Sequence, residues 1–378
     1  MTLAAALNIE DLRRLARARL PRMVFDYIDG GADDEVTLRA NLERLRAWRL
    51  QHRALVDIAE TDLSARVMGQ ETRLPFFISP TAASRLFHYR GERAVAAAAD
   101  KAGVAYGLST IGSTSIEEVA GLCRTPKLFQ VYVWKDRGLV REVLARAQAA
   151  GFAGAVLTVD VPVAGNRERD PRNGFSIPPR VTWKTATQAL ARPEYLYRLM
   201  TSPPVGPENF RHLKTGDGGI VEFINSQFDR TVTWKDAEWM AEVWGGPFAL
   251  KGIAHVEDAR RCAGMGAAVW VSNHGGRQLD TAPATIDTLR PIVEAVNGAV
   301  EVIFDGGVRR GHDIAKALAL GATSVAIGRA YLFGLAAGGE EGVARAITIL
   351  EEELRRTMAM TGARRVADLT RDLVLAPV

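Results

Sequence analysis

The chain is poor in the residues that build metal clusters and disulfide frameworks. Its 378 residues hold two cysteines, Cys123 and Cys262, and six histidines. No His, Cys, Asp or Glu group has metal-ligand spacing, so no metal centre is expected. Two distant cysteines in so large a chain exclude a disulfide scaffold and point to a reducing compartment, the cytoplasm. Long apolar runs are missing too. None reaches the roughly 18 residues that signal a membrane span, and the short stretch Met1 to Leu7 runs at once into Glu10 and Asp11, unlike a signal peptide. An excess of one charge is also lacking. Lys+Arg count 48 against 44 Asp+Glu, a net +4 with no polybasic tract. A nucleic-acid partner is therefore not indicated. A weak attraction to an anionic membrane surface is compatible with this charge.

What is present is apolar material for a large core, 47% of the chain. It comes in eight short runs rich in β-branched residues: Phe76–Ser79, Ala105–Ser109, Leu128–Val133, Ala155–Asp160, Phe248–Gly252, Ala268–Asn273, Val302–Asp305 and Ser324–Gly328. Continuous apolar strands alternating with helical stretches indicate a parallel sheet covered by helices. Eight such units predict an α/β fold, a (β/α)8 TIM barrel spanning 1–378 as a single domain. An N-terminal helical segment precedes it, with Asn8 as cap and Ile9, Leu12, Leu15 and Ala16 on one face. Four later helices read as stopping at Gly103, Gly151, Gly264 and Gly321. One connection breaks the rhythm. After strand 4 a long insert, about 165–233, carries Pro178-Pro179, Pro193, Pro203-Pro204, Pro207, an aromatic stretch from Glu194 to Met200, and Gly216 to Gly219. In a barrel such an insert lies over the C-terminal face; the alternative is a solvated loop.

Chemistry in this architecture sits at the C-terminal strand ends, where a polar residue costs solvation unless it has a task. Those ends carry Ser79-Pro80-Thr81-Ala82, Ser109-Thr110, Gln130 with Tyr132, Thr158-Val159-Asp160 followed by Arg167, and Lys251. Then come Ser272-Asn273-His274 with Arg277, Asp305-Gly306-Gly307-Val308-Arg309-Arg310, and Gly328-Arg329. The last two turns pair glycines with arginines, a phosphate-binding pattern on the strands where barrels commonly hold phosphate. Lys251, inside an apolar strand, reads as a Schiff-base lysine, as a fixed charge beside an electron-rich cofactor, or as a structural ion pair with Asp305 or Asp160. His274 is the acid–base candidate: it alone of the six histidines combines a strand end with basic neighbours. Asp160 is placed to orient it, and Arg167 and Arg277 to clamp a carboxylate.

The run Ser272-Asn273-His274-Gly275-Gly276-Arg277-Gln278-Leu279-Asp280 closely resembles the signature of FMN-dependent L-2-hydroxy-acid oxidising enzymes, which include glycolate oxidase and bacterial L-lactate and mandelate dehydrogenases. Further motifs agree from Pro21 to about Arg364, among them Met23-Val24-Phe25-Asp26-Tyr27, Phe129-Gln130-Val131-Tyr132, Leu250-Lys251-Gly252 and Ile327-Gly328-Arg329. By matching position the resemblance implies FMN as cofactor and a small 2-hydroxy acid, best matched by L-lactate, as substrate. His274 is implied as base with Asp160 behind it, and Tyr27, Tyr132, Arg167 and Arg277 as the substrate's holders. Pro80, Thr81, Ala82, Ser109, Gln130, Tyr132, Thr158, Lys251 and Ser272 are implied to surround the flavin ring. Asp305, Gly306, Gly307, Val308, Arg309, Gly328 and Arg329 are implied to hold its ribityl and phosphate. The resemblance further implies a quinone, a carrier protein or oxygen as electron acceptor, and a tetrameric assembly.

Two departures bear on substrate and location. Ile111 stands where plant glycolate oxidases have tryptophan, which leaves room for a larger substrate. The insert looks more like those of the bacterial lactate and mandelate dehydrogenases. Tyr195, Leu196, Leu199 and Met200 in it form a candidate anchor on the inner face of the membrane, or else pack on the barrel. Two other classes predict less of this pattern. A different FMN or phosphate-binding barrel, such as a type-2 isopentenyl diphosphate isomerase, explains the glycine turns but not the histidine run with two arginines. A non-catalytic FMN-binding barrel does not require His274, Lys251, Arg167 and Arg277 together.

Overall fold

The structure, a computed structural model, describes residues 1–176, 182–213 and 226–377. Eight parallel strands close into one barrel in sequence order: β1 (Phe76–Ile78), β2 (Tyr106–Ser109), β3 (Lys127–Val131), β4 (Gly154–Thr158), β5 (Phe248–Ile253), β6 (Ala268–Val271), β7 (Val302–Phe304) and β8 (Ser324–Ile327). Closure is made by β8 against β1, with Ile327 opposite Ile78. The protein is therefore a (β/α)8 TIM barrel, as the eight runs predict.

The strands read as unbroken apolar runs because both faces are covered. Phe76, Ile78, Phe129, Leu157 and Leu250 point outward into the helix-packed core. Phe77, Leu128, Val156, Ala249, Trp270, Ile303 and Ala326 fill the barrel interior. Alternation then dictates what comes next on the inner face. Two residues beyond that apolar layer lie Ser79, Gln130, Thr158, Lys251, Ser272, Asp305 and Gly328. The period-2 geometry of the strands thus turns scattered polar residues into a single ring at the C-terminal mouth.

Around the barrel, α1 (Ile9–Arg19) is capped by the Asn8 side chain, which accepts from the Asp11 amide, and buries Ile9, Leu12 and Ala16. It packs against the C-terminal helix Arg329–Thr361. Pro21 opens α2 (Arg22–Asp29), which carries Tyr27 to the mouth. All four helices end within a residue of the sequence reading, but only Gly103 is itself the cap. Gly103 caps its helix in the left-handed conformation, and Gly151 and Gly321 follow their helix ends with positive φ. Gly264, however, is the last residue of Val256–Gly264, and the left-handed turn falls at Gly266 instead. Similarly, the caps before Gly151 and Gly321 are Ala150 and Leu320.

The insert after β4 is built of short helices, Arg169–Asn173, Trp183–Leu190 and Pro193–Met200, and Trp234–Trp244 then resumes the barrel's helical layer. Pro178-Pro179 and Gly216 to Gly219 lie outside the described residues. Tyr195 donates its hydroxyl to the Leu86 carbonyl at 3.0 Å, and both it and Leu199 are half-buried on the barrel side. Of the four side chains weighed as an anchor, only Met200 is exposed; among the described residues of the insert the large apolar side chains that face outward are Trp183, Leu190, Tyr197 and Met200. No helix among the described residues is long and apolar enough to cross a membrane.

Candidate active site

A cleft of about 350 Å³ opens at the C-terminal mouth, within the size range of small-molecule and cofactor sites. Its floor is a hydrogen-bonded ladder. Ser109 Oγ donates to Gln130 Oε1 at 2.9 Å, and Gln130 Nε2 donates to Thr158 Oγ1 at 2.9 Å. These bonds fix the glutamine amide and leave the Thr158 hydroxyl hydrogen free to point into the cleft. Pro80, Thr81 and Ala82 form one wall, with the Thr81 hydroxyl bonded to that of Tyr331.

At one side stands a charged group under the floor. Lys251 Nζ donates to Ser272 Oγ at 2.9 Å and lies 3.3 Å from Asp305 Oδ2. Burial alone would pull the lysine's pKa down, but the Asp305 and Asp160 carboxylates reverse the effect and raise it. Lys251 is therefore a buried ammonium at neutral pH. That excludes the neutral amine a Schiff-base nucleophile needs, and leaves a fixed positive charge.

The acid–base pair is equally defined. His274 Nδ1 lies 2.9 Å from Asp160 Oδ1. Burial pushes the Asp160 pKa upward, yet His274 and Lys251 outweigh it and hold it below the usual carboxylate range. An ionised carboxylate can only accept, so Nδ1 must carry the hydrogen and Nε2 is left with a bare lone pair. The backbone is bent to achieve this. His274 has φ +55°, in the left-handed region that side chains rarely adopt, and Gly275 and Gly276 continue the turn at +65° and +75°. Such a conformation costs about 1–3 kcal/mol and persists where surrounding contacts over-determine it. Here the His274 amide donates to Ser272 Oγ, and a Cβ on Gly276 would stand 2.5 Å from the Leu38 backbone nitrogen. Gly252 serves the same pair from below: with φ +110°, it leaves open the space that Asp160 fills.

Beside the histidine, Arg277 and Arg167 flank the Tyr27 ring, their guanidinium carbons 4.8 and 5.3 Å from its centroid. Arg277 donates only to the carbonyls of Tyr27 and Gly30. At the far end, the turn Gly306-Gly307-Val308-Arg309 meets the N-terminus of the helix that begins at Arg329. Arg329 donates to the carbonyls of Ile28, Gly275 and Gly30, and Arg309 to that of Val308. Among the described residues no carboxylate lies within ion-pair distance of Arg277, Arg309 or Arg329. Burial lowers all three, Arg309 to about 10, and their mutual repulsion adds to the effect on Arg329. Buried cations without anionic partners are costly. The cleft therefore fits a ligand that is anionic at one end, and a second anion between Arg277 and Arg167. A helix N-terminus with glycine amides and two arginines fits the phosphate of FMN; the polar ladder and Lys251 fit the edge of a flavin ring.

Of the residues that the resemblance gives a role, all but two line this one cleft, Asp160 standing behind His274 and Ser272 beneath Lys251; the strand-end residues Thr110, Asn273 and Arg310 lie outside it, Arg310 paired with Glu353. The structure adds Ile28, Phe87, Phe228 and Gln278 to the lining, and Phe175, stacked 4.3 Å from Tyr27. None had a strand-end position to reveal it. Gln278 was in the histidine run, and its amide donating to the Asp160 and Val163 carbonyls ties the β4 loop to the β6 loop.

Fold and cleft together define a (β/α)8-barrel whose C-terminal mouth joins a histidine–carboxylate pair, two arginines beside it, and a glycine–arginine turn at the N-terminus of a helix. Residues 16–376 match the family described as FMN-dependent dehydrogenase. The chain is 42% identical over 370 residues to a putative L-lactate dehydrogenase of Mycobacterium tuberculosis, covering 97% of this chain and 89% of that one. It is 43% identical over 372 residues to an L-lactate oxidase of Nostoc sp., covering 97% of each. The crystal structure of a monotopic membrane protein, (S)-mandelate dehydrogenase, superposes with a TM-score of 0.93 at 36% identity, covering 98% of this chain and all of that one. The chain belongs to the FMN-dependent dehydrogenase family, and FMN is its cofactor.

Proposed function

We propose that the chain, a single FMN-binding domain over 1–378, oxidises a small L-2-hydroxy acid, L-lactate above all, to the 2-oxo acid. The observation that carries this reading is the bare Nε2 of His274, held by Asp160, beside Arg277, which has no carboxylate within ion-pair distance among the described residues, and Arg167, whose carboxylate contact is a single one, Asp170 at 3.5 Å. FMN, when bound, supplies the two-electron acceptor.

Every other role falls to the protein. Arg167 and Arg277 hold the substrate carboxylate, and the hydroxyls of Tyr27 and Tyr132 orient it. Burial, with Asp160 nearby, pushes the Tyr132 phenol upward, so it stays a donor. His274 removes a proton at Nε2, and Asp160 stabilises the imidazolium that results. Pro80, Thr81, Ala82, Ser109, Gln130, Thr158, Lys251 and Ser272 would surround the flavin ring, with Lys251 opposing negative charge there. Asp305, Gly306, Gly307, Val308, Arg309, Gly328 and Arg329 would hold the ribityl phosphate. Arg329→Met is expected to weaken FMN binding by roughly 10–100-fold, from the loss of about 1.5–3 kcal/mol in a charged hydrogen bond. Fluorescence titration of the apoprotein with FMN measures it, and an unchanged affinity would remove Arg329 from the phosphate site.

Ile111, in the cleft wall, leaves room for a methyl or larger tail. Ile111→Trp is expected to lower turnover of mandelate at least about tenfold while glycolate is spared, since filled space rejects the larger tail. Comparable losses for both acids would argue that this wall does not meet the tail. For the acceptor, the exposed Trp183, Leu190, Tyr197 and Met200 support a peripheral membrane contact and hence quinone. Oxygen is the second reading, favoured by the similarity to an L-lactate oxidase. Reoxidation of the reduced protein by a soluble quinone analogue, compared with air, separates them: quinone is expected to be the faster. Tetrameric assembly belongs to the same reading, and light scattering of the holoprotein tests it.

A further inference from the structure

Below the cleft floor the barrel interior is apolar, but one of its side chains carries a polar atom. Trp270, in β6, is fully buried there. Its Nε1–H donates to Asp305 Oδ2 at 2.9 Å. That same oxygen is 3.3 Å from Lys251 Nζ, and Lys251 Nζ in turn lies 5.6 Å from the centre of the indole ring. Phe77 packs edge-on against the ring, 5.2 Å away at 71°, and locks its orientation. Three other buried indoles, Trp48, Trp134 and Trp244, have no partner for their N–H groups among the described residues. A buried indole in this fold can thus do without an acceptor. The one beneath the cleft meets the very carboxylate that neutralises Lys251.

The electrostatic consequence follows from sharing. A carboxylate that accepts from an indole N–H spreads its charge and holds the neighbouring ammonium less tightly. The negative face of the ring keeps the ammonium in place at the same time. More of the Lys251 charge is then left facing the cleft, where a reduced flavin carries negative charge. Without the indole donor, Asp305 would compensate Lys251 more fully.

The geometry points to Trp270 as a positioning residue that raises the reduction potential of the bound flavin, acting through Asp305 and Lys251 without lining the cleft itself. The inference rests on the proposed place of Lys251 beside the flavin ring. It assigns a redox-tuning role to a side chain that the apolar pattern of β6 would class as core filler.

The test is the midpoint potential of the FMN-loaded protein, read spectrophotometrically against a redox dye, in Trp270→Phe, Trp270→His and Lys251→Met. Phenylalanine keeps most of the apolar bulk and loses the N–H; histidine keeps an N–H donor. Trp270→Phe is expected to shift the reduced-to-oxidised ratio about tenfold toward oxidised flavin, roughly 30 mV for two electrons. Trp270→His is expected to recover most of that shift, and Lys251→Met to exceed it. If Lys251→Met lowers the potential and Trp270→Phe does not, Trp270 has no tuning role and the placement of Lys251 stands. If Phe and His lower it equally, the hydrogen bond is not the cause and the inference fails. If none of the three moves the potential, the placement of Lys251 fails and the inference with it.

Discussion

A His274→Ala protein, loaded with FMN and mixed anaerobically with L-lactate, is expected to reduce its flavin about 10²–10⁴-fold more slowly than the native chain, the range that a positioned general base contributes. Asp160, kept ionised by His274 and Lys251 against the effect of its burial, fixes the proton on Nδ1. The turn through His274, Gly275 and Gly276 spends backbone strain on aiming the ring. Alanine at that position removes the lone pair but leaves the anion pockets, so FMN affinity is expected to hold within a few-fold. Stopped-flow absorbance at the flavin band measures the rate, and titration the affinity. A native-like rate with FMN bound would remove His274 from the proton step.

Arg277→Met is expected to produce the second large loss, with a different signature. A carboxylate gripped by a guanidinium receives two charged hydrogen bonds of about 1.5–3 kcal/mol each. Their removal corresponds to roughly 10²–10⁴-fold in kcat/KM. Because the grip is made in the ground state as well, a large share is expected as a higher KM. Arg277→Lys is expected to recover only part, since an ammonium cannot offer the planar fork. Steady-state kinetics with L-lactate reads the split. An unchanged KM in Arg277→Met would mean that the carboxylate binds elsewhere.

Much of this site was legible because strand periodicity does the sorting. Gln130, Thr158, Lys251 and Asp305 each follow an inward apolar residue by two positions, so a polar residue at the end of an apolar run was already a residue at the mouth. The barrel was legible for the same reason: strands buried on both faces have no polar alternation to blur their limits, and the observed ends differ by at most two residues from the runs in the sequence.

What the sequence hid arrives from outside the strands. Tyr27 comes from α2 and was found only through the family motif. Phe175 and Phe228 come from the insert, and nothing local distinguishes an aromatic that crosses to the cleft from one that packs beneath a helix. The insert's aromatic stretch reads equally as an anchor or as packing on the barrel, because sequence does not say which face of a short helix meets the barrel. Tyr195 and Leu199 turn toward the barrel, whereas Trp183 and Leu190, on the preceding helix, face outward. Trp270 was hidden in the opposite way, since its place in an apolar strand explains its bulk and conceals its donor.

The central claim is that this cleft takes electrons from an L-2-hydroxy acid. Anaerobic titration of the yellow FMN-loaded protein with L-lactate tests it most directly, with the 2-oxo acid counted alongside. The account predicts bleaching of the flavin by the L-enantiomer, one 2-oxo acid formed per flavin reduced, and little effect of the D-enantiomer. A flavin that stays oxidised under L-lactate, glycolate and L-mandelate alike would contradict it.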